Sequence, residues 1–298
     1  MPKYFAFLIL PFLASGAYAD EYSMALNQVR TNCSNISGQL ENLKKMAGIN
    51  TAITGVGTAA GAGATIAGIA KAGTDSKLEQ ILSPLKSVSS ENNPSLDEVL
   101  AVYDANAKHS AALNDVKNEI SNLNKQSRTL GNVRTGLLGA STATNIAGAV
   151  IASKNKVDDD LYTQIDNCVK SVNALENSLG QARMDGVDIT NAQQIVLSCG
   201  KWRDVDLHAI DSKSNVATWS SVIGAGTGLA GTITSAAANS NSVRYGDDRK
   251  EKNLNSAANV LAGGTAIASG VSTVFNATQI SAVKKVVAVA QDCEEALK

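Results

Sequence analysis

Apolar residues recur along two parts of the chain at alternating intervals of three and four residues. One stripe consists of Leu26, Val29, Cys33, Ile36, Leu40 and Leu43, and the other of Leu161, Ile165, Cys168, Val172, Leu175 and Leu179. This interval places all members of a stripe on one face of an α-helix and is typical of the seam between two long packed helices. The pattern therefore predicts a coiled-coil-like pair of helices.

The cysteines fix the register of this helix pair. An antiparallel arrangement that sets Cys33 opposite Cys168 also aligns four further apolar pairs: Leu26 with Leu175, Val29 with Val172, Ile36 with Ile165, and Leu40 with Leu161. We therefore predict a Cys33–Cys168 disulfide and, from the two remaining cysteines, a Cys199–Cys293 disulfide. A cross-link that closes a loop of roughly a hundred residues stabilises a fold by about 4.5–5 kcal/mol in the chain-entropy treatment. The alternative is that the cysteines are buried free thiols.

Four long runs without a charged residue form the second pattern: 46–70, 135–153, 214–243 and 253–283. They are rich in glycine, alanine, serine and threonine, and "TGVGTAAG" in the first run is similar to "IGAGTGLAG" in the third. A cysteine precedes the first run of each pair and follows the second. We interpret the chain as a duplication of one unit, in which two glycine-rich helices joined by a turn lie between two cysteines.

The predicted fold is therefore all-α. It consists of two duplicated long antiparallel helical hairpins, related to a coiled coil or four-helix bundle, each stapled by one disulfide. We assign the first repeat to residues 20–185 and the second to 186–298. The first repeat holds an insertion at about 74–128, where Leu113, Val116, Ile120 and Leu123 predict a further helix and a candidate binding surface.

Small residues recur at every fourth position of the runs, a spacing that lets two helix backbones approach closely. We predict glycine-zipper-like seams formed by Gly57, Gly61, Gly136, Ala140, Gly148, Gly224, Gly228, Gly264 and Gly270. In the register set by the first disulfide, Gly57 faces Thr144 and Gly61 faces Ala140. Each glycine costs a helix about 1 kcal/mol relative to alanine. So many glycines imply that the close packing outweighs this loss.

The runs are also long enough to cross a hydrocarbon layer of about 30 Å. Serine, threonine and asparagine make them less apolar than a typical membrane span, which carries more leucine, isoleucine and phenylalanine. Insertion of paired hairpins into a bilayer is therefore the alternative to packing in water.

The amino-terminal sequence has the features of a secretory signal peptide. Lys3 precedes the apolar segment 4–13, and Ala17-Tyr18-Ala19 forms a cleavage motif. We expect residues 1–19 to be removed after Ala19 and the mature chain to be exported to the periplasm or the extracellular space. Four cysteines in such a compartment are expected to form disulfides.

Catalytic chemistry finds little support in the sequence. The net charge of −1 favours neither nucleic-acid binding nor electrostatic attraction to anionic lipid. His109 and His208 lack the cysteine spacing of a zinc site, and "GTGLAG" at 226–231 lacks the preceding strand of a dinucleotide-binding motif. We predict no catalytic residue, metal, cofactor or small-molecule substrate.

We expect an exported, non-enzymatic structural or interaction protein that binds a protein partner or itself through small-residue helix–helix contacts. The first alternative is a membrane-active helical-hairpin protein, pore-forming or membrane-inserting. The second is an enzyme. Internal packing of the runs distinguishes the first two, because an exposed apolar patch of more than a few hundred Å² predicts a membrane or partner site.

Overall fold

The computed structural model describes residues 10–86, 111–244 and 248–298. Every regular element in these ranges is a helix, which confirms the all-α prediction. The elements are α1 (Leu10–Asn32), α2 (Ile36–Lys86), α3 (Ala111–Lys154), α4 (Asp159–Met184), α5 (Thr190–Cys199), a 3-10 helix (Gly200–Asp204), α6 (His208–Ala238), α7 (Asn241–Arg244) and α8 (Asp248–Ala296). Of the predicted insertion 74–128, residues 87–110 and the side chains of Leu113 and Val116 lie outside the described residues.

The first apolar stripe is carried by two helices rather than one. The helix is interrupted between Asn32 and Ile36, where Asn35 has a φ of 63°. Asparagine adopts this left-handed conformation more readily than other residues with a side chain. The prediction of one continuous helix is wrong at this point, although Cys33 and Ile36 both remain buried. Beyond the break, α2 runs without interruption for 51 residues, or about 75 Å.

The chain divides into two compact units. Unit 1 comprises Met1–Ile49, Ala152–Asn215 and Phe275–Lys298, and unit 2 comprises Asn50–Ile151 and Val216–Val274. Each unit draws segments from both halves of the chain. The compact units therefore do not coincide with the predicted repeats 20–185 and 186–298, and the duplication stays a prediction.

Unit 1 has a conventional apolar core. The two stripes meet there, with Val29, Leu40, Leu161 and Leu175 all buried. Both predicted disulfides, Cys33–Cys168 and Cys199–Cys293, are present and lie in this core. The sulfur atoms of Cys33, Cys199 and Cys293 lie within 4.8 Å of one another. The two cross-links are therefore neighbours.

Unit 2 is a bundle of four helix segments, in which sequential neighbours are antiparallel. Gly57 of α2 lies against Thr144 of α3, as the predicted register requires. Equivalent close approaches join α3 to α6, α6 to α8 and α8 to α2: Gly224 with Asn145, Gly228 with Thr265, and Gly61 with Ala266. A hydrogen bond between Asn145 and Ser269 also joins α3 to α8 across the bundle. The four segments thus enclose a common interior.

Candidate functional site

The interior of unit 2 is mainly polar. Its buried polar and charged side chains are those of Asn50, Thr54, Lys71, Thr74, Ser127, Arg134, Ser141, Thr142, Asn145, Ser221, Ser235, Asn255, Thr265, Ser269 and Ser272. We call this set the polar interior. The buried apolar residues among them are chiefly alanines, and one small cluster joins Ala64, Leu138 and Ala262. This composition is the reverse of a soluble protein core, where serine, asparagine, lysine and arginine are mostly exposed.

Hydrogen bonds between helices satisfy much of the polar interior. The Asn145 amide donates to the Ser269 hydroxyl at 2.8 Å. The Ser141 hydroxyl donates to the Gly57 carbonyl oxygen at 2.7 Å, and the hydroxyls of Ser221 and Ser272 lie 2.7 Å apart. A buried polar group without a partner costs about 1–3 kcal/mol, so these pairings hold the bundle in one register.

Two fully buried cations, Lys71 and Arg134, lie in the interior of unit 2 toward the carboxyl-terminal end of α2. Lys71 has no exposed side-chain area, and its Nζ lies 2.5 Å from Asp75 Oδ2 and 3.1 Å from Glu251 Oε1. The Ser127 hydroxyl donates to the same Asp75 carboxylate. These contacts tie α2 to α3 and α8.

Arg134 is the second buried cation, and its guanidinium is held by neutral oxygens. Nε donates to Ser235 Oγ at 2.8 Å, Nη1 donates to Asn259 Oδ1 at 2.9 Å, and Nη2 donates to Asn255 Oδ1 at 2.7 Å. We call Lys71, Asp75, Arg134 and Glu251, with the side chains bonded to them, the charge network. It joins all four helices, and a buried charge needs such a set of partners because its desolvation is costly.

Polar side chains fill the gaps that several predicted glycines leave. A Cβ at Gly57 would lie 2.6 Å from Thr144 Oγ1, one at Gly148 would lie 2.7 Å from Thr54 Cγ2, and one at Gly228 would lie 2.5 Å from Thr142 Oγ1. At Gly224 the obstacle is Asn145, and at Gly61 it is the backbone of Ala266 at 3.0 Å. These five predicted residues all lie at close helix approaches. The nearest neighbour of Gly61, however, is Ala266 of α8 rather than the predicted Ala140 of α3.

The remaining predicted packing positions differ. At Gly136 a Cβ would meet none of the described atoms within 4 Å, and Ala140 is exposed. Gly264 and Gly270 have only ordinary contacts at 3.8 Å. A row taken at every fourth position drifts about 40° per step around a helix of 3.6 residues per turn. The row that touches α2 at Gly148 has therefore turned outward by Gly136.

Sequence reasoning missed three glycines at close approaches. Gly68 lies against Asn259 and Arg134, Gly131 lies against Asn239, and Gly231 lies against Leu138 and Leu261. The one signal for Gly68 is Arg134, which it contacts and which is the one charge within residues 129–153. A lone cation in an otherwise uncharged helix must face partners, and glycine makes room for them.

The outer surface of unit 2 carries many large apolar side chains, in addition to exposed charged residues such as Lys77, Lys125 and Lys252. Fifteen large apolar side chains, each between 37% and 73% exposed, are distributed over all four helices: Val56, Ile66, Ile69, Val133, Ile146, Val150, Trp219, Val222, Ile223, Leu229, Ile233, Val260, Ile267, Val271 and Val274. We call this set the apolar band. In unit 1 the large apolar side chains exposed among the described residues are Met24, Ile49, Met184 and Leu197. The two units therefore have opposite distributions of polarity.

Three helical stretches of the described chain are long and apolar enough to cross a membrane, by length and composition alone: Asp20–Leu82, Lys117–Met184 and Arg249–Ala296. In their most apolar windows only 39%, 33% and 33% of the residues are buried. Most residues in these windows therefore remain accessible on the surface and are not buried by packing between the helices.

Other residues considered from the sequence do not assemble a reactive site within the described chain. The ring of His208 lies 5.3 Å from that of Tyr162 at a tilt of 32°, and the Tyr162 hydroxyl donates to Asp211 Oδ2 at 2.8 Å. Burial and this hydrogen bond raise the pKa of Tyr162. His109 lies outside the described residues. The clustered sulfurs of Cys33 and its neighbours are all engaged in disulfides, so none is a free thiolate ligand.

Comparison with known protein families, with curated proteins and with solved structures finds no match for this chain. No relative therefore supplies a function. The functional proposal therefore rests on the distribution of polar, charged and apolar side chains in the two units.

Proposed function

We propose that the protein is an exported, membrane-active helical-hairpin protein. Unit 2 enters a lipid bilayer as a four-helix bundle, and unit 1 remains in water as its disulfide-stapled domain. The observation that carries the proposal is the inverted polarity of unit 2, with the charge network inside and the apolar band outside. Hydrocarbon favours this distribution, because a helix bundle in lipid must satisfy its polar groups internally.

The position of the apolar band favours lipid over a protein partner. A partner of standard size covers one face of a protein, about 800 Å². The band instead has members on every helix of unit 2, such as Ile66, Ile146, Leu229 and Ile267. Complete burial of a valine, leucine or isoleucine side chain is worth about 1.5–3 kcal/mol. A surrounding lipid annulus removes all fifteen band side chains from water.

The lengths of the helices fit a bilayer. The uncharged runs 46–70, 214–243 and 253–283 contain 25, 30 and 31 residues, and 135–153 contains 19. At 1.5 Å per residue the shortest run is about 28 Å long, close to the hydrocarbon thickness of about 30 Å. Arg134, which ends this run, is directed inward and hydrogen-bonded, as lipid requires of a charged side chain.

The two disulfides support an exported location. Disulfides persist in oxidising compartments and are rare in the cytosol. They agree with the predicted signal peptide 1–19, cleavage after Ala19 and a periplasmic or extracellular destination, which all remain part of the proposal. The predicted absence of enzymatic activity also remains a prediction.

Small-residue contacts supply the means of assembly in this proposal. The approaches at Gly57, Gly61, Gly148, Gly224 and Gly228 bring helices together where lipid offers no hydrophobic driving force between them. We therefore propose that glycine-zipper-like seams hold the helices together in the bilayer and that the chain can associate with itself through similar contacts. The alternative is a soluble structural protein. In that case a partner protein would have to bury the apolar band.

Vesicle binding tests the proposal. The oxidised protein is mixed with dye-loaded vesicles, and dye release and flotation after carbonate washing are measured. We expect carbonate-resistant flotation. A band variant, Ile66→Lys, Ile146→Lys and Ile267→Lys, should lose it, because each lysine places a charge on the lipid-facing surface.

The matched control carries the same charge change on unit 1: Met24→Lys, Met184→Lys and Leu197→Lys, which replace side chains that are 60–75% exposed. This variant should float like the unaltered protein. A protein that stays soluble with every lipid and pH tested, or two variants that lose flotation equally, would contradict the proposed function.

A further inference from the structure

Each of the four uncharged runs is bounded by a lysine at its unit 1 end. Lys45 precedes run 46–70, Lys154 follows run 135–153, Lys213 precedes run 214–243, and Lys284 follows run 253–283. Lys156 and Lys285 lie one or two residues farther on. We call these six residues the lysine belt. They mark one boundary of the uncharged part of every helix.

Hydrogen bonds within unit 1 bring three of these boundaries close together. The Ser214 hydroxyl, next to Lys213, donates to the Ala152 carbonyl oxygen at 2.7 Å, two residues before Lys154. The Gln279 amide donates to the Asn155 carbonyl oxygen at 2.9 Å, between Lys154 and Lys156. Lys284 follows Gln279 by five residues, or about 7.5 Å along a helix. The boundaries next to Lys154 and Lys213 and the segment before Lys284 therefore lie close together in unit 1.

The belt lysines have no ion-pair partner among the described residues, whereas Lys71 and Lys252, two of the cations at the opposite ends of the runs, are paired. There, Lys71 pairs with Asp75 and Glu251, and Lys252 pairs with Glu79. Acidic residues near the belt have other partners: Asp211 accepts hydrogen bonds from the Val157 amide and the Tyr162 hydroxyl, Asp158 caps α4, and Glu41 pairs with Lys44. No belt lysine is therefore neutralised by an ion pair among the described residues, although the exposed carboxylates of Asp159 and Asp160 follow Lys156 closely in the sequence.

A groove of about 550 Å³ lies beside two belt members. Lys213 and Lys285 line it together with apolar residues that include Ile210, Ala282 and Val286. Lys201 also lines the groove but forms an ion pair with Asp292, and Asp204 and Asp206 belong to the same lining. Two unpaired ammonium groups beside apolar side chains suit a group that is anionic at one end and apolar at the other.

We propose that the lysine belt binds the phosphate headgroups of anionic phospholipids, with one headgroup in the groove beside Lys213 and Lys285. This inference rests on the proposed insertion of unit 2, which brings the ends of the uncharged runs to the headgroup layer. Lysine suits this position because its alkyl stem lies along apolar surface while its ammonium group reaches outward. A lysine near an anionic membrane surface strengthens binding by about fivefold.

The test compares vesicles of phosphatidylcholine alone with vesicles that also contain phosphatidylglycerol, at low and at high salt. The belt variant carries Lys45→Gln, Lys154→Gln, Lys213→Gln and Lys284→Gln. The control carries Lys77→Gln, Lys125→Gln, Lys170→Gln and Lys298→Gln, which remove the same charge from exposed lysines elsewhere. All four belt lysines lack an ion pair among the described residues, so unfolding midpoints should not change.

We expect the unaltered protein and the control to bind the anionic vesicles more tightly than the neutral ones, by on the order of a hundredfold at low salt. High salt should reduce this preference by screening, and the belt variant should lose most of it. Equal affinity for both vesicles, or equal losses in the belt variant and the control, would overturn the inference.

Carbonate-resistant flotation with neutral vesicles separates this inference from the proposed function. Insertion without a preference for phosphatidylglycerol overturns the belt proposal and leaves the insertion of unit 2 standing. A preference for phosphatidylglycerol that carbonate abolishes supports the belt as a headgroup-binding surface and overturns the insertion.

Discussion

Arg134 Nη2 donates to Asn255 Oδ1 at 2.7 Å, and the bond joins α3 to α8 inside unit 2. Arg134 is fully buried, although valine and isoleucine side chains of the same helices are exposed around it. An arginine is almost never buried in this way in a soluble protein unless it is paired. This bond therefore shows the reversed polarity of the bundle, because a charged side chain lies inside it while apolar side chains lie outside.

Replacing this guanidinium should strongly destabilise unit 2. Arg134→Ala leaves Ser235, Asn255 and Asn259 without their donor, and we expect a loss of about 3–5 kcal/mol, typical of breaking a buried polar network. Arg128→Ala, in an exposed part of the same helix, should change stability by less than about 0.5 kcal/mol. Denaturant unfolding in detergent micelles measures both. Equal effects of the two substitutions would show that the network is not a stabilising feature.

Two glycine substitutions should have opposite effects. A Cβ at Gly61 would approach the backbone of Ala266 to 3.0 Å, and backbone cannot move aside, so Gly61→Ala should cost about 1–3 kcal/mol. Gly136→Ala enters open space among the described residues and should stabilise the helix by up to about 1 kcal/mol. Thermal unfolding of the two variants compares them. Stabilisation by Gly61→Ala would mean that α2 and α8 are farther apart than described.

The neighbouring disulfides should exchange when one cysteine is removed. In Cys168→Ser the freed Cys33 sulfur lies within 4.8 Å of Cys199 and Cys293. Its thiolate can attack that disulfide, form a bond to one sulfur and release the other as a thiol. Non-reducing peptide mapping should find Cys33 joined to Cys199 or Cys293. The double variant Cys33→Ser with Cys168→Ser should retain only Cys199–Cys293. A Cys33 that stays free in the single variant would contradict this prediction.

Trp219 should report membrane contact. Its side chain is 68% exposed and belongs to the apolar band, whereas Trp202 is buried in unit 1. In a Trp202→Phe variant we expect the fluorescence of Trp219 to shift to shorter wavelength when vesicles are added, because the indole leaves water. The Trp219→Phe variant, which retains the buried Trp202, should show no shift. An unchanged Trp219 spectrum in the presence of bound vesicles would place this residue outside the lipid.

Tyr162 should make unit 1 sensitive to alkaline pH. Burial and the hydrogen bond to Asp211 raise its pKa, so the folded state retains the phenolic proton more strongly than the unfolded state. The resulting stabilisation is complete below the ordinary tyrosine pKa of about 10 and disappears as pH rises toward the higher folded value. Tyr162→Phe should flatten this alkaline decline in unfolding free energy. Tyr22→Phe is the control and should keep the alkaline decline. A decline that persists in Tyr162→Phe and disappears in Tyr22→Phe would show that Tyr22, and not Tyr162, causes it.

Local sequence signals predicted unit 1 well. The three- and four-residue spacing identified residues such as Val29 and Val172 as core members. The antiparallel register of the two stripes gave the Cys33–Cys168 disulfide, and the two remaining cysteines gave Cys199–Cys293. Such stripes are informative because large apolar residues contrast with polar neighbours. The break at Asn35 was not predicted, because it depends on one backbone conformation that several residues tolerate.

The interior of unit 2 was much harder to predict. Its runs contain mostly alanine, glycine, serine and threonine, which fit inside or outside a bundle equally well, so their spacing does not identify a face. The register still placed Gly57 against Thr144, but the outward position of Gly136 depends on the rotation of α3 about its own axis. Arg134 was the strongest available signal, since an isolated cation in an uncharged stretch must face partners.

The reversed polarity of unit 2 also has a consequence for biogenesis. In water, collapse is driven by burial of apolar surface, which would turn Ile66, Ile146 and Ile267 inward and Arg134 outward. The described arrangement of unit 2 thus opposes the force that folds unit 1. Under the proposed function, the chain keeps these segments from collapsing until it reaches a bilayer, either by folding unit 2 only on contact with lipid or by travelling with a carrier that covers its isoleucines and valines.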